Sequence, residues 1–109
     1  MLLVLLIDAA IDAVRPAGAD VLAHRERVAA AHPSLALVMD LAAMRDGGAR
    51  LAVEARDVAP EDYPALAEAE YMVSLYNDGT VPRLMIRAGD DADEALPLLR
   101  QAVADLGGT

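Results

Sequence analysis

The sequence predicts one small α/β domain in which helices flank a sheet. An α+β arrangement, a three-stranded antiparallel sheet with helices on one face, is the competing class. Three observations carry this reading. A chain of 109 residues sits near the modal domain size and is too short for two cores. Residues 2–14 and 34–44 repeat apolar side chains at helical spacing, while residues 50–57 alternate and residues 81–87 are rich in strand formers. A single domain over residues 1–109 is therefore expected, with an amphipathic helix in residues 1–15 and the core in residues 20–106.

In the first segment Leu3, Ile7, Ala10, Ile11 and Val14 share one helical face and Asp8, Asp12 and Arg15 another. A helix from about residue 2 to residue 14 follows. A buried strand over residues 2–7 competes, because a short apolar run suits either. The run is not expected to be a targeting or spanning segment: no basic residue precedes it, two aspartates interrupt it, and it is too short to cross a bilayer.

Pro16-Ala-Gly18 is a break. Residues 20–28 read either as a helix capped by Asp20 or as a strand with a charged end. Pro33 closes that segment, and Ser34 is placed to cap a helix whose stripe is Leu37, Val38, Leu41 and Met44, stopped by Gly47-Gly48.

Leu51, Val53 and Ala55 then alternate with Arg50, Ala52, Glu54 and Arg56, the pattern of a half-buried strand over residues 50–57. Residues 60–69 begin with proline and acids and predict a short helix. Tyr71 to Tyr76 and Val81 to Arg87 flank Asn77-Asp78-Gly79-Thr80, which predicts a hairpin with Pro82 at an edge, a bulge or a strand start. Asp90 to Glu94 is expected to open a final helix with Leu96, Leu99, Val103 and Leu106 facing the sheet; Pro97 requires that helix to start near Asp93.

Composition excludes several chemistries. All nine basic residues are arginine, so a Schiff-base or phosphate-loop lysine is absent. With no cysteine there is no disulfide, thiolate nucleophile or zinc–thiolate site, which fits a reducing compartment; the cytoplasm is the expected location. A net charge of −9 argues against nucleic acid and anionic membrane surfaces as partners. It leaves room for a basic protein partner, to which the acids at residues 61–62, 68–70 and 90–94 would present a field; solubility alone is the blander use of that charge. Mean hydropathy is +0.30, and an apolar N-terminal helix is hard to bury in so small a domain, which points to a homo-oligomer, expected as a homodimer.

No catalytic constellation and no metal or cofactor site stands out. His24 and His32, the two imidazoles, lack tight spacing to carboxylates; His32 ahead of Pro33 and Ser34 reads as a loop or capping residue. Ser34 with His32 could be nucleophile and base, but an N-cap serine is the simpler reading. Asp90, Asp91, Asp93 and Glu94 offer oxygen ligands for a hard cation, yet acids at a helix start complement its dipole. Asp8 and Asp12, one turn apart, could bracket a cation or simply face water. Tyr63, Tyr71 and Tyr76 could line a groove or fill a core.

From residue 34 the expected order is helix, strand, short helix, hairpin, helix, and Ala31-His32-Pro33-Ser34 stands before a helix. This resembles the thioredoxin-like domains, in pattern the N-terminal one of the alkyl hydroperoxide reductase flavoprotein, with the Cys-x-x-Cys positions occupied by Ala31 and Ser34. The resemblance implies a central mixed sheet flanked by helices, and a substrate groove near His32, Pro33, Ser34, Tyr71 and Tyr76. The family's cis-proline before the first hairpin strand has no counterpart in Glu68-Ala-Glu-Tyr71. Two functions remain. One is a redox-inactive, non-catalytic interaction, chaperone or assembly module. The other is a cysteine-independent enzyme or ligand-binding domain with its site at a dimer interface.

Overall fold

A computed structural model describes residues 1–58, 64, 68–76 and 79–109, apart from the side chains of residues 69, 73, 74 and 76. The elements are α1 (Leu2–Ala13), α2 (Val21–Ala31), α3 (Pro33–Ala43), β1 (Arg50–Asp57), α4 (Glu68–Tyr76), β2 (Thr80–Ala88), β3 (Asp91–Glu94) and α5 (Ala95–Gly107). The strands form one antiparallel sheet in the order β1-β2-β3. This is a mixed α+β architecture whose three-stranded antiparallel sheet is that of the competing class, but helices are not confined to one face, since α4 meets the side of β2 opposite α5. Residues 20–28, open between helix and strand, lie in α2, so the chain enters Ala31-His32-Pro33-Ser34 from a helix.

Helices α1, α3 and α5 pack around a core in which Ile11, Leu35, Val38, Ile86, Ala95 and Ala102 are sealed from solvent. In α1 the inward residues are Val4, Ile7 and Ile11; Leu3 and Val14 are exposed, so the buried face is rotated from the predicted one. Asp20 caps α2, the helical one of the two readings left open, its carboxylate accepting from the Ala23 amide at 2.9 Å. At α3 the cap is His32, not Ser34. Pro33 takes the first helical position, where its missing N–H costs nothing, and Ser34 is left free to turn toward another helix.

Beyond α3 the sequence reading holds for β1 and fails at two places. Tyr71 to Tyr76 is helix, not the first strand of a hairpin; Glu68 and Glu70 sit in the first turn of α4, where acids favour the helix dipole. The expected turn at residues 77–78 and most of the helix expected over residues 60–69 lie outside the described residues. The hairpin partner of β2 is β1, in register from Arg50 opposite Arg87 to Asp57 opposite Thr80. Asp91 to Glu94 forms β3 instead of opening the last helix, and Glu94 makes no side-chain cap. The cause is Gly89, whose φ of +60° lets a two-residue turn fold Ala88 back onto Asp91. With α5 starting at Ala95, its inward residues become Ala95, Leu99 and Ala102, while Leu96 and Val103 face solvent.

The Val58 amide bonds the Gly79 carbonyl at 2.9 Å, continuing the ladder. The even-numbered residues of β1 therefore bond to β2, and Leu51, Val53, Ala55 and Asp57 turn their N–H and C=O groups to the outer edge. By the same alternation Pro82 faces away from β1, at a level that β3 does not reach, so its missing donor is harmless. The half-buried strand predicted for residues 50–57 is covered only at its start: α5 packs on β2 and β3, and Val53 is 72% exposed. On the opposite face of β2, Val81 and Met85 are buried, and Arg83 between them pairs with Glu70 of α4.

Candidate functional site

The singled-out residues His32, Pro33 and Ser34 sit at the junction of α2 and α3, where the C-terminal end of α5 meets them. Ser34, nearly buried, donates its hydroxyl to Asp105 Oδ2 at 2.7 Å. Gln101, one turn earlier on α5, donates to Asp105 Oδ1 at 2.9 Å, and His32 Nδ1 lies 3.8 Å from the same oxygen. The Ser34 hydroxyl, then the Gln101 amide and the field of His32, hold the Asp105 carboxyl below the usual aspartate range.

Two open cavities flank the junction. One, about 260 Å³, lies beside His24, Arg27, Val28 and His32. The other, about 520 Å³, is lined by Pro33, Ser34, Leu37, Pro97 and Gln101. Tyr71 does not line either; it is on the exposed side of α4, and the Tyr76 side chain and Tyr63 lie outside the described residues.

The chemistry of this cluster is that of a clasp. A nucleophilic serine needs an imidazole to take its proton, with a carboxylate behind the imidazole. Here the carboxylate itself accepts the hydrogen bond of the Ser34 hydroxyl, and its lowered proton affinity makes it a weak base. Asp105 and Gln101 were not visible as site residues in the sequence; their only mark is a spacing of four on a helix.

The other sequence candidates also resolve into internal contacts. Asp8 and Asp12 do bracket a cation, and it is the guanidinium of Arg25: Arg25 pairs with Asp8 Oδ1, reaches Asp12 Oδ1 at 3.2 Å, and donates to the Asp8 carbonyl at 3.3 Å. His24 is buried, with Nε2 2.9 Å from the Ile11 carbonyl. Asp90, Asp91, Asp93 and Glu94 lie along the β2–β3 turn and β3. Among the described residues, groups of three or more side chains that could hold a metal ion do not occur. None of the described helices is long and apolar enough to cross a membrane.

Comparison with protein-family models, curated proteins and solved structures gave no match.

Proposed function

We propose that this chain is a non-catalytic, redox-inactive interaction module that docks another protein through the outward face of α1. One observation carries the reading. Apart from Asp8 and Asp12, which turn to Arg25 of α2, α1 is apolar: Val4, Ile7 and Ile11 fill the core, while Leu2 and Leu6 are 72% and 58% exposed and Leu5 stands beside them on the outward face. A surface helix ordinarily turns polar residues to water opposite its buried stripe, whereas leucines grouped on one outward face form the kind of patch that marks an interaction site. Of the thioredoxin-like resemblance, the reading keeps only the absence of thiol chemistry, which the lack of cysteine supports. The enzyme alternative would draw on Ser34, His32 and Asp105, and the hydrogen bond between Ser34 and Asp105 is spent on joining α3 to α5.

Photo-cross-linking tests this. A benzoylphenylalanine at Leu6, in cells expressing the chain, is expected to give a defined protein adduct, and the same group at Arg27 on α2 none. Absence of an adduct at Leu6, or equal labelling at both positions, would refute docking through α1.

A further inference from the structure

Among the described residues β1 is the edge of the sheet, and the N–H and C=O groups of Leu51, Val53, Ala55 and Asp57 on its outer side have no backbone partner. Natural edge strands are ordinarily shortened, bulged, broken by proline or covered. This one is eight residues long, holds no proline, pairs with β2 without a bulge and is exposed along most of its length; its one protective device is charge, at Arg50, Glu54, Arg56 and Asp57, and that charge is of both signs. Among the described residues the helices pack on β2 and β3, and β1 meets the core only at Leu51.

We propose that β1 pairs antiparallel with β1 of a second copy of this chain, with Ala52 on the two-fold axis, joining two three-stranded sheets into one of six strands. The surface is separate from α1, and the inference does not depend on the reading above.

The register follows from the sequence of the strand. A two-fold axis perpendicular to the sheet keeps each residue on its own face, so facing residues must be an even number of positions apart. Centred on Ala52, Leu51 faces Val53 of the second copy and Arg50 faces Glu54 of the second copy, each pair occurring twice. Apolar meets apolar and cation meets anion. Centring on Val53 sets Arg50 against Arg56 twice; centring on Glu54 sets that carboxylate against itself and Leu51 against Asp57; centring on Ala55 sets Val53 against Asp57. Like charges directly opposite destabilise a strand pair.

Three structural details agree with the Ala52 register. Leu51 and Val53 carry outward backbone groups, so their facing pair is a hydrogen-bonded one and Ala52 faces Ala52 in the closer, non-bonded spacing. Arg50 forms no ion pair within 4 Å among the described residues, and in this register it faces Glu54 of the second copy, whose carboxylate, already bound by Arg87 at 2.6 and 2.8 Å, gains a second cation beside it. Val53 and its cross-strand neighbour Leu84, both exposed, come to lie in one row with Leu51 and Ile86 of the second copy, beside the edge of its helical core.

The absence of native cysteine makes the test direct. Facing Cα atoms in a non-bonded antiparallel pair are about 4.5 Å apart, within the range a disulfide spans. Ala52→Cys under mild oxidation is expected to become a covalent dimer nearly completely, while Ala55→Cys, which in this register faces Ala49, stays monomeric. A second variant, Val53→Pro, removes an outward N–H that β2 does not use, so it is expected to keep the circular-dichroism spectrum of the parent and to abolish the dimer in sedimentation velocity. Failure of Ala52→Cys to cross-link in a folded protein would overturn the proposal. So would cross-linking of Ala55→Cys in its place, or a dimer that survives Val53→Pro. Loss of the α1 photo-adduct bears on none of these outcomes.

Discussion

Ser34 and Asp105, 71 residues apart in the chain, are joined by a hydrogen bond of 2.7 Å that ties the first turn of α3 to the end of α5. The carboxylate is held below its ordinary proton affinity, first by the Ser34 hydroxyl and then by the Gln101 amide. A carboxylate depressed in the folded state contributes stability above its unfolded pKa, and that contribution is lost as the pH falls through the folded value. Urea unfolding of Asp105→Asn is therefore expected to show a lower midpoint than the parent at neutral pH. The gap should hold down to about pH 5 and close at lower pH, below the ordinary aspartate value of about 3.9. A gap independent of pH would show that the charge of Asp105 plays no part in the clasp.

His24 acts as an end-cap for α1. The last carbonyls of a helix lack intrahelical donors, and the Arg15 amide turns to Asp12 rather than to Ile11. The imidazole Nε2 fills the vacancy at Ile11, which places the ring hydrogen on Nε2, since a carbonyl only accepts. His24→Leu keeps the volume and leaves a buried acceptor unpaired, so a loss of about 1–3 kcal/mol is expected in chemical denaturation. His24→Gln, whose amide can still donate, should recover part of it. Equal losses in the two variants would assign the role to packing.

Arg25 holds α2 against α1 through Asp8, Asp12 and the Asp8 carbonyl. An exposed ion pair contributes roughly 0–1 kcal/mol, and a charge-assisted hydrogen bond in a protected site about 1.5–3 kcal/mol. Arg25 and Asp8 are both largely covered, whereas Asp12 is about half exposed. Asp8→Asn is thus expected to cost more stability than Asp12→Asn, and added salt should weaken the Asp12 contribution more. The reverse order in thermal melts would mean that Asp12 is the principal partner.

The parts of this fold that were legible in the sequence are those set by local chemistry. Helical spacing located α3 and alternation located β1, while for α1 and α2 the spacing and Asp20 offered a helix beside a strand alternative that the sequence left open. Periodicity did not reveal how far each face is covered. Val53 has the pattern of an inward residue and is exposed because the helices end over β2. Tyr71 to Tyr76 is rich in residues that favour strands, but it continues a helix whose first turn holds Glu68 and Glu70, where acids favour the dipole. At the candidate site, Pro33 exposed the break and so pointed to His32 and Ser34. Asp105 could not be inferred, because a contact between α3 and α5 depends on how the helices cross and leaves no mark on either segment alone.

The end of α3 shows a similar limit. Gly47-Gly48 read as the stop, yet the helix ends at Met44, which takes a left-handed conformation at φ 51° and ψ 41° with its side chain 60% exposed. That conformation costs a residue with a Cβ about 1–2 kcal/mol, whereas glycine adopts it freely at an entropic cost of about 0.5–1 kcal/mol in the unfolded chain. Met44→Gly is accordingly expected to raise stability by about 0.5–1 kcal/mol, since little side-chain packing is given up. Gly47, with φ of +77° and open space where a Cβ would stand, supplies the converse test: Gly47→Ala should lose about 1 kcal/mol from backbone strain alone. Met44→Ala, which keeps the strain, should leave the urea midpoint almost unmoved. If Met44→Gly and Met44→Ala shift that midpoint alike, the side chain of Met44 and not its backbone sets the stability of this turn.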